Sequence, residues 1–297
     1  MRKEYSFQVK GKKYLLGRRT WIMGVVNVTP DSFYDGGFYF DPDKAMERGL
    51  ELATEGADII DIGGESTRPG SDPVAWEEEL RRIMPILTCL RKNTGVLISV
   101  DTTKYPVARA ALEAGADIIN DISSFRQDPG LLELATQHDA GFILMHMKGT
   151  PKTMQDNPSY ENVLGEVKSF LNDRLETARA HGLKKENIIV DPGIGFGKRL
   201  EDNLVLLNHL SFFEDLERPV LVGISRKSFI GKILNLPPQE RLEGTIAASV
   251  LSVIRGAHLL RVHDVKAIRR AIQVAEAILN ERRETSPTGE DKVHYVH

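Results

Sequence analysis

EAGADIIND, residues 113–121, decides the fold. It reads as a helix end, a glycine turn at Gly115, and a short apolar run that stops at Asn120 and Asp121. Glycine suits the left-handed residue that closes such a helix. The same phrase stands at 55–61 as EGADIID. Working outward, apolar runs that end in polar residues recur eight times. They are IMGVVNV (22–28), DIIDIG (58–63), LISVDT (97–102), DIIND (117–121), FILMHM (142–147), IIVDPG (188–193), PVLVGIS (219–225) and HLLRVHD (258–264). Most are continuous rather than alternating, which predicts strands buried on both faces of a parallel sheet. Helical stripes fill the gaps, such as Val265, Ile268, Ile272, Ala275 and Leu279, or Leu164, Val167, Leu171, Leu175 and Ala178. Eight β-then-α units predict an α/β protein of the (β/α)8 TIM-barrel class rather than an open doubly wound sheet. GIGFGK (193–198) lacks the glycine spacing of a dinucleotide fingerprint.

Ahead of the first run, YSFQVKGKKYLL (5–16) reads as a hairpin with a Lys-Gly turn, placed to cap the barrel bottom. Residues 1–281 are expected to form one domain, with 282–297 a polar tail. The 297-residue chain is 41% hydrophobic and 27% charged, near globular averages. A net charge of -3 gives no general attraction to nucleic acid or acidic membranes. No apolar run has the length of a membrane span, and the charged start lacks a signal-peptide core, so the expected location is the cytoplasm. The single cysteine, Cys89, excludes an intramolecular disulfide and reads as a buried structural thiol.

In such barrels the active site lies at the C-terminal strand ends. Those ends carry Asn27, Asp61, Asp101, Asn120, Asp121, His146, Asp191, Ser225, Arg226, Lys227, Arg261 and His263. Any one of them alone reads equally well as a turn or cap residue. Together, so many polar groups around one mouth imply a polar ligand. Asp101, Asn120, Asp191 and Lys227 suit the amino-pyrimidinone edge of a flat heterocycle. Arg68, Arg261 and His263 suit phosphate oxygens. A phosphorylated heterocycle follows, with Mg2+ held mainly by the phosphates and by one or two protein oxygens. NVTPDSFYDGG (27–37) and GGESTRPGS (63–71) read as loops able to cover that mouth.

GVVNVTPDSFYDGG (24–37) and DIGGESTRPGS (61–71) resemble the two signature segments of the dihydropteroate synthase family. The resemblance continues through SVDTTK (99–104), INDIS (119–123), LMHMKGTPKTMQ (144–155), VDPGIGFGK (190–198), VGISRKSFIG (222–231) and RVHDV (261–265). It departs at Tyr34, Thr103 and Ile194, none of which removes a functional group. The resemblance implies condensation of a dihydropterin diphosphate with p-aminobenzoate, a transferase reaction forming a C–N bond in folate biosynthesis. It implies that Asp101, Asn120, Asp191 and Lys227 bind the pterin, with Met145 and Phe196 against the ring. Asn27, Arg261 and His263 would hold the diphosphate, Asn27 together with Mg2+. Phe33, Thr67 and Arg68 would close over the substrates, and Pro69, Lys227 and Ser228 would flank p-aminobenzoate. Sulfonamides are expected to compete at that place, and the family commonly forms a homodimer.

The expected catalytic groups are Asp101, Lys227, Arg261 and Asp35. Cationic donors would neutralise the leaving diphosphate, and carboxylates would stabilise the cation left on the pterin methylene. The arylamine is neutral at pH 7 and needs placement more than activation. Replacing Arg261 is expected to weaken pyrophosphate binding and to spare a diphosphate-free pterin. Two alternatives share the barrel: a pterin-binding methyltransferase, and a non-catalytic pterin-binding paralogue. The first would not need the TPDSF and STRPG loops, and the second should have lost Asn27, Arg68, Asp101, Lys227 or Arg261.

Overall fold

The computed structural model describes residues 2–29 and 42–281, together with the backbone of 284–285 and 291–292. An N-terminal hairpin pairs β1 (Tyr5–Val9) with β2 (Lys12–Leu16) antiparallel. Its two turn residues, Lys10 and Gly11, both have positive φ (48° and 74°), the twist that two-residue hairpin turns require. Eight parallel strands follow: β3 (Trp21–Asn27), β4 (Ile59–Gly63), β5 (Leu97–Asp101), β6 (Ile118–Asp121), β7 (Gly141–Met145), β8 (Ile188–Asp191), β9 (Leu221–Gly223) and β10 (Leu259–Val262). Chain neighbours pair side by side, and β3 also pairs with β10. The ring closes through a parallel bridge between Val190 and Val220, where Val190 N donates to Pro219 O at 3.0 Å.

Around this ring lie α1 (Pro42–Thr54), α2 (Trp76–Asn93), α3 (Tyr105–Glu113), α4 (Gly130–Gln137), α5 (Val163–Ala180), α6 (Leu200–Asn208), α7 (Ser228–Leu234), α8 (Leu242–Ile254) and α9 (Val265–Leu279). The expected (β/α)8 barrel is therefore the observed one. Six of the observed strands stop one or two residues before the expected ends, where the chain leaves the ladder. The two GAD phrases behave alike. Gly56 (φ +99°) and Gly115 (φ +110°) end α1 and α3, with the following residue bonded back to Leu52 O and Ala111 O.

The hairpin does cap the barrel bottom. Phe7, Val9 and Leu16 pack with Met23, Ile59, Leu97, Ile118, Ile143 and Leu259 in one apolar cluster. A Cβ at Gly141 would come within 2.8 Å of Phe7 Cζ, so glycine makes room for that plug. Lys10 N and Gly11 N donate to Asp139, and His258 Nε2 lies 3.0 Å from Lys3 O. Within the stretch read as a tail, β11 (Glu284–Thr285) and β12 (Asp291–Lys292) pair antiparallel. No helix among the described residues is long and apolar enough to cross a membrane.

Candidate active site

Parallel register puts the chemistry of β4, β5, β6 and β10 on one level. Gly63 stands beside Asp101, and Asp101 beside Asn120. Into that level Arg261 reaches from β10. Its Nε donates to Asp61 Oδ2 at 2.7 Å, and its Nη2 donates to Asp101 Oδ2 at 2.8 Å. Asn120 Nδ2 donates to the same Asp61 oxygen at 3.1 Å. Asp61 is fully buried, and its other oxygen, Oδ1, has no partner. Asp61 had no role assigned from sequence, although it ends a run as the others do. Its part is visible only once register sets it beside Arg261.

Burial pushes the Asp101 carboxyl up to about 7, with Arg261 opposing. Asp191 is raised by burial too, opposed first by Lys227, and its Oδ1 accepts from Gly193 N at 2.7 Å. Lys227 follows β9. Its Nζ donates to Ile194 O and stands 4.4 Å from the centre of the Phe196 ring. Burial lowers it to about 8 against the pull of Asp191. Met145 belongs to a small apolar cluster with Ile122, Met147 and Met154, against which Phe196 packs. The mouth thus has a polar face of Asp61, Asp101, Asn120, Asp191, Lys227 and Arg261, beside an apolar wall. That pairing suits a flat heterocycle rich in donors and acceptors.

His263 follows β10 and its Nδ1 lies 3.0 Å from Ser225 Oγ. Burial, then the charge of Arg261, lowers it to about 4, so it is neutral at pH 7 in the substrate-free protein rather than a standing cation. An arriving diphosphate would favour its protonation. Asn27, half-buried, ends β3 beside Gly63. In loop two, Thr67 is half-buried while Arg68 and Pro69 are exposed. That loop is held at its base, where Lys104 Nζ lies 2.6 Å from Glu65 Oε2 and also bonds the buried Glu79. Its far side meets the loop after β7 through Gly70 N to Pro151 O at 3.1 Å. Ser228 opens α7 and is exposed. Phe33 and Asp35 lie outside the described residues, as does Tyr34.

Three strand-end residues turn out to serve the frame. Asp121 accepts from Ser123 N at 2.8 Å and from Phe125 N, tying its own turn. Arg226 has φ +55° and pairs with Asp264 at 2.7 Å. His146 meets Lys198 and the edge of Phe170.

The pterin binding enzyme family model matches residues 23–263. The dihydropteroate synthase of Synechocystis sp. is 48% identical over 263 residues, covering 88% of this chain and 91% of that protein. The dihydropteroate synthase of Escherichia coli K12 is 46% identical over 259 residues, covering 87% and 92%. Among solved structures, Yersinia pestis dihydropteroate synthase with a sulfonamide drug superposes with a TM-score of 0.87 at 43% identity, covering 92% of this chain and 98% of that one. The Xanthomonas albilineans enzyme with 4-aminobenzoic acid gives 0.86 at 45% identity, covering 93% and 99%. The same enzyme with 7,8-dihydropteroate gives 0.82 at 42%, covering 92% and 99%. With its barrel, its polar mouth and these relatives in agreement, the chain belongs to the pterin-binding enzyme family, among the dihydropteroate synthases.

Proposed function

We propose that this protein joins (7,8-dihydropterin-6-yl)methyl diphosphate to p-aminobenzoate, giving 7,8-dihydropteroate and pyrophosphate in folate biosynthesis. The observation that carries the reading is the buried cluster of Asp61, Asp101, Asn120 and Arg261 facing Asp191 and Lys227. The relatives at 48% and 46% identity carry the synthase name, which favours C–N bond formation over methyl transfer or mere binding.

Asp101, Asn120, Asp191 and Lys227 bind the pterin edge, with Met145 and Phe196 against its face. Asp101 and Asp191 then hold negative charge near the methylene as the bond to diphosphate lengthens, which stabilises the cation that develops there. Arg261 and His263 take up the charge gathering on the leaving diphosphate. Thr67 and Arg68, together with Phe33, would cover the mouth and keep water from the cation, and Asp35 would lend that cation a further carboxylate. Pro69, Lys227 and Ser228 flank p-aminobenzoate so that its lone pair meets the methylene.

Among the described residues no group of three or more His, Cys, Asp or Glu could hold a metal ion, so those residues do not build a full cage. One amide oxygen from Asn27 beside diphosphate oxygens does fit Mg2+, an ion that keeps most of its other ligands as water or phosphate. When bound, Mg2+ supplies further neutralisation of the diphosphate. The location we propose is the cytoplasm, consistent with a single unpaired cysteine.

The assembly we propose is a homodimer through α6, α7 and α8. Leu204, Val205, Phe229, Ile233, Leu234 and Leu251 border a groove there of about 610 Å³, and Ile233 and Leu251 are more than half exposed. A patch of that kind on one protomer fits a second copy.

The deciding assay is formation of dihydropteroate and pyrophosphate from the two substrates with Mg2+, inhibited by a sulfonamide. Binding of the pterin without product in that assay would leave only a pterin-binding protein.

A further inference from the structure

Lys198 is a buried lysine to which the proposed reaction assigns no role. It is 3% exposed, in the loop between β8 and α6. Its Nζ lies 2.9 Å from His146 Nδ1, 3.0 Å from Phe196 O and 3.3 Å from His146 O. Three acceptors thus surround this amino group. No carboxylate lies within salt-bridge distance of it among the described residues. Burial drives the group toward losing its proton, and the field of Asp191 opposes this. Burial, then the Lys198 charge, keeps His146 neutral, so Nδ1 is available to accept. A lysine held at such cost has a use other than solubility.

Its surroundings say which use. Residues 193–198 form a tight plate against the end of β7. A Cβ on Gly193 would lie 1.9 Å from His146 O, and one on Gly197 would lie 2.4 Å from Lys148 O. The plate is fastened further by Tyr160 Oη, donating to Gly197 O at 2.7 Å, and by Gln155 Nε2, donating to Gly195 O at 2.8 Å. Lys198 fastens one side. On the other side stand the Phe196 ring and the Ile194 carbonyl, which together hold Lys227 Nζ.

We infer that Lys198 is a positioning residue for the pterin: by tying the Phe196 carbonyl to the end of β7, it fixes the wall and the Lys227 ammonium that receive the ring. The inference rests on the pterin reading above and deepens it. It places the specificity for a flat bicyclic ring partly in a residue that never touches the ligand.

The test is Lys198→Met in the full chain, with Tyr160→Phe as a milder loosening of the same plate. Lys198→Met is expected to raise KM for the dihydropterin diphosphate about tenfold, with a smaller rise in KM for p-aminobenzoate, which Lys227 also flanks. Tyr160→Phe should move the same constant about two- to threefold. A role in stability alone would reduce the active fraction, lowering apparent kcat with both KM values unchanged, and that result overturns the inference. Should Lys198→Met fail to fold, an unchanged pterin KM in Tyr160→Phe overturns it equally. Titration of 6-hydroxymethylpterin into wild type and variants separates this claim from the reaction. Binding by wild type that is about tenfold weaker in Lys198→Met supports positioning even if no dihydropteroate is made. Equal affinities refute it, and absence of binding by wild type removes both readings.

Discussion

Asp58 and Asp117 occupy the same place in the two GAD phrases, and each folds its carboxylate back on the frame. Asp58 Oδ2 accepts from Ile22 N at 2.8 Å, and Asp117 Oδ2 accepts from Ile98 N at 2.9 Å. Three residues further on, Asp61 and Asn120 face the mouth instead. One short phrase thus supplies a polar group that ties the frame at the bottom of a strand and another that faces the mouth at its top. In the role proposed for it, Asp101 would act at the expense of stability. Its folded pKa, raised to about 7 by burial, stands above the ordinary 3.8, so its contribution is favourable below about pH 4 and is lost as pH rises through 7. Asp101→Asn should therefore lose turnover about 100-fold or more while its Tm at pH 8 equals or exceeds that of wild type. Wild-type turnover would remove the electrostatic role, and a Tm advantage confined to low pH would contradict the sign. The ion pairs also change the expectation for Arg261. Its charge lowers the Asp101 carboxyl, so Arg261→Met should move the acid limb of pterin binding to higher pH as well as weaken pyrophosphate binding. Calorimetry of a diphosphate-free pterin across pH 6–9 would show an unmoved limb if Arg261 served the diphosphate alone. The residue types at the mouth were legible in the sequence. The pairing was not, since Arg261 lies 160 residues from Asp101 and 200 from Asp61, and barrel register alone brings them together.

At the scale of elements, the eight strands and the hairpin were legible because continuous β-branched runs and a Lys-Gly turn carry their own geometry. The strand ends were legible only to within a few residues, for no apolar pattern marks where a chain leaves a ladder. Loop contacts such as Lys104 between Glu65 and Glu79 were not legible, because they join segments of unrelated pattern. The hairpin is the element whose value can be measured most directly. Phe7→Ala removes the largest side chain of the bottom plug and should cost about 3–5 kcal/mol in denaturant unfolding. The mouth is built on the opposite strand ends, so KM for both substrates at 25 °C should stay near wild type. A large change in KM with little loss of stability would mean that the hairpin communicates with the site.

For the whole molecule, acid acts at the bottom through His258. Its Nδ1 accepts from Val220 N at 3.2 Å, and burial lowers its pKa to about 4. A folded value below the ordinary 6.5 means that the unfolded chain binds the proton first. The stability that neutral His258 provides is thus lost as pH falls from about 6.5 to 4, by about 3 kcal/mol at most. The Tm of His258→Gln relative to wild type should rise over that window, and a constant difference would contradict it. At the outer face, Leu251→Glu should leave a monomer by light scattering where the proposed assembly makes wild type a dimer. A monomeric wild type at micromolar concentration would remove the dimer reading.

The hairpin plug has a last consequence, and it concerns traffic. A barrel stoppered at one end has a single doorway, so arrivals queue and departures retrace the same path. In the proposed reaction the deeper berth, at Asp101, Asp191 and Lys227, would be filled first, and whatever docked afterwards beside the exposed Pro69 and Ser228 would stand in the exit. Such a cul-de-sac would release its products in the reverse of the order in which its substrates enter.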